Sequence, residues 1–311
     1  MTRHELTTRI KQYAHELGFC SVGIARAGRL EEESKRLQEW LDRGMHGTMR
    51  WMETAFDKRT DPRNILPDAR SVISVALNYY TKDRQPPQGK VSRYAWGDDY
   101  HDIVHDLLDQ LFAFIQSIEQ SAEGKVYVDT GPVMDKVWAQ RAGIGWEGKH
   151  TNVITQDHGS WVFLGEIIVN VELNYDEPAT DHCGTCTLCI EACPTQAIVE
   201  PYVVDSTKCI SYLTIEHKGE IAQELGNEFE GWLYGCDICQ DVCPWNEKFS
   251  SVTALREFEP RPVNISPDPQ KILEMSQEEF SKAYARSPMK RTKLSGLKRN
   301  AQVLLSTSNH S

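Results

Sequence analysis

The chain has 311 residues, of which 40% are hydrophobic and 25% are charged, so it is long enough to form about two domains with buried cores. This composition excludes a disordered or repetitive protein. Lys and Arg number 34 against 45 Asp and Glu, and the net charge of −11 argues against a simple nucleic-acid coat. Eight of the nine cysteines fall between Cys183 and Cys243, which indicates a metal centre rather than a disulfide framework.

The N-terminal segment and the apolar runs bear on the compartment. The opening residues, MTRHELTTRIKQYAHELGF, contain neither the apolar core nor the cleavage site of a secretory signal. The longest apolar stretches, Trp161–Leu164 and Ile167–Val169, are far too short to span a bilayer. We therefore expect a cytoplasmic protein without a membrane partner, whose thiols stay reduced.

Hydrophobic periodicity predicts the elements of the first 175 residues in chain order. Thr2 can cap a first helix and Gly18 can end it, and 71–79 is rich in β-branched residues, as in a buried strand. The expected helices cover 2–17, 31–41, 101–121 and 133–142, and the expected strands cover 21–25, 71–79, 125–128 and 161–171. Because strands and helices alternate, this part reads as an α/β or α+β domain.

Polar and proline-rich segments predict three domains, at 1–175, 176–250 and 251–311. A polar linker covers 175–182, and four prolines within 260–269 mark the second boundary. From Lys282 onward there are seven Lys or Arg and no acidic residue, so the rest of the chain carries −18, which is −11 minus 7. This helical tail suits contacts with phosphates, although a solvated helical face is an equally good interpretation.

The first cysteine run indicates an iron–sulfur cluster. Its spacing is Cys-x2-Cys-x2-Cys-x3-Cys-Pro, with the cysteines at Cys183, Cys186, Cys189 and Cys193. In bacterial ferredoxins such a run gives three thiolates to one cluster and the fourth to the other. A structural zinc site is the weaker alternative.

The second run, Cys236-x2-Cys239-x3-Cys243-Pro, lacks one cysteine relative to the first, and Cys209 can supply it. Exchange of the last cysteine between the runs then predicts two ligand sets. One cluster takes Cys183, Cys186, Cys189 and Cys243, and the other takes Cys193, Cys209, Cys236 and Cys239. A ferredoxin that only carries electrons would leave the first 175 residues without a role, so we expect them to hold the electron acceptor.

A glycine-rich segment, Gly143-Ile-Gly145-Trp-Glu-Gly148, satisfies the G-x-G-x-x-G pattern of dinucleotide-binding folds. A helical pattern precedes it and no clear helix follows it, which argues against such a fold. We expect instead a loop pressed close to a flat cofactor, because glycine permits a close backbone approach.

Four further side chains are candidates for chemistry or for structure. Asp129 either caps a helix starting near Pro132 or is a partly buried acid beside a cofactor. Arg59 either binds an acidic cofactor group or is solvated. His101 begins the D-x-H-x-x-G pattern of a cobalt ligand, but the glycine is absent, so we reject that role. Cys20 is expected to be a small core residue.

Taken together, these segments resemble the epoxyqueuosine reductase family of cobalamin-dependent iron–sulfur enzymes over nearly the whole chain. The resemblance rests on VDTGP around Asp129 and on SRYAWGDDYH at 92–101, RAGIGWEGKH at 141–150, CPTQAIVEPYVVD at 193–205, KCISYLT at 208–214 and YGCDICQDVCPWN at 234–246. It implies a mixed α/β (α+β) fold with a nitroreductase-like cobalamin-binding domain, a ferredoxin-like domain with two [4Fe–4S] clusters, and a short helical tail that starts a HEAT-like region. Many members continue beyond this point, so we expect either a short form or a truncated one.

The resemblance also implies a reaction, the last step of queuosine biosynthesis. Epoxyqueuosine at the wobble position of tRNA for Asp, Asn, His and Tyr would be reduced to queuosine, with Asp129 as the proton donor. The cofactors would be cobalamin and two [4Fe–4S] clusters, and the partners would be tRNA and a flavodoxin, a ferredoxin or a similar electron donor to a monomer. Cobalamin contacts carried over by position are Arg59, Ser92, Asp129, Val153, Leu164 and Ser211.

Two other functions are open at this stage. A corrinoid iron–sulfur reductive dehalogenase would use the same cofactors, but those enzymes usually carry a twin-arginine export signal, which we do not find here. The second of these functions is a ferredoxin-type electron carrier with an accessory binding domain.

Overall fold

The computed structural model describes residues 1–308, in which short strands alternate with helices. The strands of this described part are β1 (Ser21–Arg26), β2 (Ser71–Asn78), β3 (Lys90–Val91), β4 (Gly124–Tyr127), β5 (Trp146–Glu147), β6 (Val153–Ile154), β7 (Val162–Val169), β8 (Ile198–Glu200), β9 (Val203–Val204) and β10 (Trp232–Tyr234). The helices are α1 (Arg3–Glu16), α2 (Glu31–Asp42), α3 (Phe56–Thr60), α4 (Tyr100–Ile118), α5 (Asp135–Arg141), α6 (Leu188–Glu191), α7 (Ile210–Ile215), α8 (Gln223–Asn227), α9 (Ile238–Asp241), α10 (Pro244–Phe249), α11 (Pro262–Ile265), α12 (Pro269–Glu274), α13 (Gln277–Ala283) and α14 (Lys293–Ser308).

A four-stranded sheet organises the N-terminal half. Its strand order is β1-β2-β7-β4, and every neighbouring pair is antiparallel. All residues of β2 except the last are buried, because helices cover both faces of the sheet, and this explains its unbroken apolar sequence. The antiparallel pairing and the separate helical layers make the fold α+β, as predicted.

Helices α1 and α4 cover one face of the sheet. The Thr2 hydroxyl accepts a hydrogen bond from the Glu5 amide while the Glu5 carboxylate accepts one from the Thr2 amide, a capping box that starts α1. Ile10 of α1 and Leu108 of α4 are fully buried against Ile167 of β7. On the other face, Trp138 of α5 packs in the core formed by β1, β2 and β7.

A second core joins three regions of the sequence. Strand β3 pairs in parallel with β10, so the segment before α4 is hydrogen-bonded to the cysteine-rich segment. Trp96, Tyr234 and Leu297 are all fully buried in this core, which brings α14 of the basic tail into the same globule. The guanidinium of Arg299 donates to the carbonyls of Leu213 and His217, both at 2.6 Å. Part of the tail's positive charge therefore holds the fold together.

The cysteine-rich segment is built from short elements. Helices α6 and α9 each begin two residues after a cysteine, β8 and β9 form a hairpin, and Pro244 occupies the first turn of α10. The eight clustered cysteines lie in or next to these short elements. Across residues 1–308, none of the helices has the length and apolar character needed to cross a bilayer.

Candidate functional site

A cavity of about 860 Å³ opens between the sheet and the cysteine-rich segment. One wall is aromatic, with Tyr100 stacked on Phe163 at a ring-centroid distance of 4.2 Å and Tyr94 edge-on to Tyr100. Residues 150–153 line a second wall, and the start of α7 contributes Ser211. The combination of aromatic walls and a few polar groups is typical of a cofactor or ligand site.

The eight clustered cysteines fall around two cavities. Cys193, Cys209, Cys236 and Cys239 line the large cavity. A smaller cavity of about 170 Å³ is lined by Cys183, Cys186, Cys189 and Cys243. These two groups have the same membership as the two ligand sets proposed from the cysteine spacing. None of the nine cysteines, Cys20 included, forms a disulfide.

The surroundings of the thiols disfavour free thiolates. Burial, together with the neighbouring Cys183, Cys243 and Cys186, raises the pKa of Cys189 to about 11. The thiol would therefore keep its proton unless a metal replaced it. Lys149 donates to the carbonyls of Gly184 and Cys186, at 2.7 and 2.9 Å, and so fixes the loop between cysteines.

Five of the six cobalamin contacts expected from the resemblance line the large cavity: Ser92, Asp129, Val153, Leu164 and Ser211. The Ser92 hydroxyl donates to the buried carboxylate of Asp237, so its side chain is already engaged. Arg59 does not line this cavity. Its guanidinium donates to the carbonyls of Val133 and Trp51, each at 3.3 Å. Arg59 thus supports the loop after Asp129 from behind.

Asp129 lies two residues past the end of β4 with φ at +55°, in the left-handed region that residues other than glycine seldom adopt. It does not cap a helix: α5 starts only at Asp135, and no side chain caps it. Instead, the Asp129 carboxylate faces the cavity and accepts a hydrogen bond from the Tyr100 hydroxyl at 3.1 Å.

His101 is the second partner of Asp129. Its Nε2 lies 3.3 Å from Oδ2 of Asp129, and its Nδ1 lies 2.7 Å from Oδ1 of Asp99. Desolvation by the cavity walls would raise the pKa of Asp129, but this effect is limited because the side chain is 64% exposed. The hydrogen bonds and charge of His101 and the bond from Tyr100 outweigh it, so the pKa is lowered. For His101, burial is opposed by Asp129 and Asp99, and its pKa rises to about 9.

A buried pair of carboxyl groups lies behind the Asp129 loop. Glu166 on β7 is fully buried and accepts a hydrogen bond from the Ser74 hydroxyl at 3.0 Å. Asp135, in the first turn of α5, faces Glu166 and also lines the cavity. Burial and the neighbouring Asp135 raise the pKa of Glu166 well above its ordinary value. Glu166 therefore binds a proton more tightly than an ordinary carboxyl group does.

The glycine-rich segment does not line the large cavity, contrary to our prediction. We predicted a loop pressed against a flat cofactor, but Gly143, Gly145 and Gly148 are outside the residues that line the large cavity. A Cβ at Gly145 would lie 2.3 Å from the carbonyl oxygen of Ile154, and one at Gly143 would lie 2.7 Å from that of Glu177. These glycines permit close packing of protein backbone against protein backbone.

Two basic residues of the tail reach the mouth of the cavity. Lys290 and Arg291 both line it, and the Arg291 guanidinium donates to the Glu216 carboxylate at 2.9 Å. The same guanidinium lies 5.5 Å from the ring centroid of Trp51, which is 41% exposed. This part of the mouth combines positive charge with an accessible aromatic ring.

Sequence reasoning missed three of these site residues: Asp99, Tyr100 and Glu166. A signal existed for Glu166, because an acidic residue interrupts the apolar strand VFLGEIIV, where a buried charge is costly. Asp99 and Tyr100 lie within SRYAWGDDYH, a segment in which we considered only Ser92 and His101 as individual site residues.

Comparison with known proteins identifies the family. The model of the family epoxyqueuosine reductase QueG, DUF1730, matches residues 59–130, and that of the 4Fe-4S double cluster binding domain matches residues 182–246. An epoxyqueuosine reductase of Cellulophaga algicola is 50% identical over 97% of this chain and 99% of its own length. That of Escherichia coli is 40% identical over 93% of this chain and 77% of its own length.

Solved structures agree with the sequence comparisons. An epoxyqueuosine reductase crystallised with an epoxyqueuosine-modified tRNA-Tyr stem loop matches 98% of this chain and 82% of its own, with a TM-score of 0.92 and 33% identity. The enzyme of Streptococcus thermophilus gives a TM-score of 0.89 at 30% identity, covering 97% of this chain and 81% of its own. A catabolic reductive dehalogenase is only 16% identical, with a TM-score of 0.51, and shares the fold alone. Near-full-length identity of 40–50% to curated relatives shows that this chain is a member of the epoxyqueuosine reductase family of oxidoreductases.

Proposed function

We propose that this protein reduces epoxyqueuosine to queuosine at the wobble position of tRNA for Asp, Asn, His and Tyr. The observation that carries this proposal is the meeting of an acid, Asp129, with the thiols of Cys193, Cys209, Cys236 and Cys239 around one cavity. A relative at a TM-score of 0.92 was crystallised with an epoxyqueuosine-modified tRNA stem loop, which supports the same substrate here.

The reaction needs two electrons and two protons, because the epoxide oxygen leaves as water and a carbon–carbon double bond forms. We assign proton delivery to Asp129, whose carboxylate faces the cavity and is held by Tyr100. A positioned acid of this kind typically contributes a rate factor of about 10² to 10⁴. The solved structure of a relative from Bacillus subtilis has its aspartate-containing catalytic loop swung out of the active site, which supports the assignment of this loop.

The large cavity fits cobalamin as the resident cofactor. Its aromatic wall offers flat apolar surface, and Ser92, Val153, Leu164 and Ser211 line it together with Asp129. Arg59 would help to position the loop after Asp129, because its guanidinium donates a hydrogen bond to the carbonyl of Val133. When bound, cobalamin supplies reducing electrons at the epoxide. The residues of the chain hold the cofactor, orient the modified base and deliver protons.

The two cysteine groups define an electron path. Cys193, Cys209, Cys236 and Cys239 belong to the cluster next to the cofactor, since they line its cavity. Cys183, Cys186, Cys189 and Cys243 belong to the outer cluster, beside the exposed side chain of Leu188. We propose that a flavodoxin, a ferredoxin or a similar carrier delivers electrons on that outer side.

The remaining assignments follow from this function. Residues 1–175 would hold cobalamin, 176–250 the clusters, and 251–311 would add Lys290 and Arg291 to a tRNA-binding mouth, where cations neutralise phosphates. We propose that the protein works as a cytoplasmic monomer, because its tRNA substrate is there and the site residues of one chain complete the cavity.

The test is conversion of a defined substrate. The protein is reconstituted with iron, sulfide and cobalamin without oxygen and is given a reductant and a stem loop that contains epoxyqueuosine. Nucleoside mass spectrometry should detect queuosine. A haloaromatic substrate, offered in parallel, separates this function from reductive dehalogenation. Loss of halide without queuosine formation would refute the proposal.

A further inference from the structure

The imidazole of His101 lies between two carboxylates at the cavity wall. Its Nδ1 is 2.7 Å from Asp99, and its Nε2 is 3.3 Å from Asp129. Asp99 is also the N-cap of α4, so one carboxylate both starts the helix and holds the ring. Tyr100 stacks on the His101 ring at a centroid distance of 4.1 Å and limits its rotation.

This geometry selects one protonation state. A neutral imidazole carries a single N–H, so one of the two carboxylates would face a nitrogen lone pair. The imidazolium donates at both nitrogens and satisfies Asp99 and Asp129 together. The N-terminal end of a helix disfavours a cation, but two carboxylates in contact outweigh that partial charge.

We propose that His101 is the proton store of the reaction: its Nε2–H reloads the Asp129 carboxylate, and Asp99 holds the imidazolium in place. The proposal rests on the function proposed above and extends it. In the resting state the proton is on His101 rather than on Asp129. His101 is therefore a positioning and proton-supplying residue that acts through Asp129.

The reaction consumes two protons at one oxygen atom. The epoxide oxygen takes one proton when its first carbon–oxygen bond breaks and another when it leaves as water. Both protons pass from Asp129 to that oxygen. Because Asp129 is ionised at rest, His101 transfers a proton to Asp129 before each of the two steps and is then reprotonated. The His101 side chain is 32% exposed, so it can be reprotonated from water in the cavity. The two electrons come from the reductant through the clusters.

The charged and titratable groups around the pair define its proton affinity. Asp99 and Asp129 contact the ring and raise the pKa of His101 to about 9 against the effect of burial. Asp129 also interacts electrostatically with two cationic and two acidic side chains, Arg59, Arg291, Asp135 and Glu166. Among the described residues, Asp99 and Asp129 supply the hydrogen bonds to the imidazole nitrogens, so removal of these carboxylates should dominate any shift of the His101 pKa.

The first experiment measures protonation without turnover. Full-length protein with reconstituted clusters, without cobalamin and labelled with ¹⁵N-histidine, is titrated by NMR, and His101 is assigned from the spectrum of His101→Gln. The expected midpoint is near pH 9, and Asp99→Asn should weaken proton binding at least about tenfold. A midpoint near the ordinary value of about 6.5 would overturn the inference.

The second experiment is the pH dependence of stem-loop conversion. The wild-type rate should be constant below pH 9 and fall above it, because His101 then loses its proton. His101→Gln should lose at least about tenfold at pH 7.5 and lose the fall near pH 9 as well. Asp99→Asn should move that fall to lower pH, which a purely structural defect would not do.

The matched control is His105→Gln. His105 lies one turn further along α4, pairs with Asp109 at 3.1 Å and is half exposed. Its rate and pH profile should equal those of the wild type. A His101→Gln variant with the wild-type rate or the wild-type alkaline fall would overturn the inference. Absence of conversion by the wild type would instead overturn the proposed function, and with it this role for His101, while the NMR midpoint would still report the protonation state.

Discussion

The Nε2 atom of His101 lies 3.3 Å from Oδ2 of Asp129, and this contact raises the pKa of His101 and lowers that of Asp129. An isolated aspartic acid in a cavity would be a proton donor if burial raised its pKa. Here the imidazolium lowers the pKa of Asp129, so the carboxylate is ionised at rest. Under the proposed function, the acid of the reaction is the pair, with His101 as the proton store and Asp129 as the group that faces the substrate.

Replacement of the acid should abolish most of the activity without loss of cofactors. Asp129→Asn keeps the size of the side chain but cannot carry an acidic proton, so single-turnover conversion should slow by about 10² to 10⁴. The cluster absorbance should stay that of the wild type. Asp106→Asn, at an exposed position on α4, is the control. An Asp129→Asn variant at the wild-type rate would exclude Asp129 as proton donor.

The ligand assignment predicts a difference between two cysteines. Cys209→Ser should reduce the iron content from about eight to about four per chain, because one of two four-iron clusters loses a ligand. Cys20→Ser should leave the iron unchanged. Cys20 packs against the core behind the sheet, and its thiol donates to the carbonyl of Ala76.

Iron and sulfide analysis of the two variants, purified without oxygen, checks this prediction. Equal iron in Cys209→Ser and the wild type would remove Cys209 from the ligands. A loss of iron in Cys20→Ser would show that the ninth cysteine is more than a core residue.

The buried carboxyl pair predicts a pH-dependent stability. The folded-state pKa of Glu166 is raised, so its contribution to the free energy of unfolding is fully present below about pH 4.5 and is lost as pH rises toward the folded-state pKa. Across that pH range the free energy of unfolding of the wild type should fall by up to about 1.4 kcal/mol per pH unit relative to that of Glu166→Gln, because the glutamine side chain does not titrate.

Urea unfolding of wild type and Glu166→Gln from pH 5 to pH 8 measures this difference. Glu123→Gln, an exposed residue just before β4, is the control and should follow the wild type. Parallel curves for wild type and Glu166→Gln would show that Glu166 is ionised in the folded protein.

The glycine-rich segment predicts a defect in packing. Gly145→Ala would place a Cβ 2.3 Å from the carbonyl oxygen of Ile154, and the backbone shift should cost about 1 to 3 kcal/mol of unfolding free energy. Gly28→Ala, where no atom lies within 4 Å of the added Cβ, should be neutral. Thermal unfolding of both variants measures the contrast, and a stable Gly145→Ala variant that fails to bind cobalamin would restore the cofactor role.

Local signals were readable in the sequence. Cysteine spacing predicted two clusters because a cluster ligand set is built largely from residues a few positions apart. The strand at 71–79 was identified because burial on both faces leaves an unbroken apolar run, which is β2 in the structure. The capping box at Thr2 and Glu5 is equally local.

Contacts between distant segments were not readable. His101 meets Asp129 across 28 positions, and Asp135 faces Glu166 because α5 packs on the sheet. The glycine pattern predicted a cofactor contact, whereas the neighbour of Gly145 is the backbone of Ile154 on the adjacent short strand. Nor did the tail's composition show that Arg299 binds carbonyl groups inside the second core.

Single-turnover conversion of an epoxyqueuosine-containing tRNA stem loop tests the central claim most directly. Protein with about eight irons and bound cobalamin, reduced without oxygen, should form one queuosine for every two electrons supplied, as measured by nucleoside mass spectrometry against reductant consumed. Full cofactor loading and complete oxidation of the reductant without any queuosine would contradict the account.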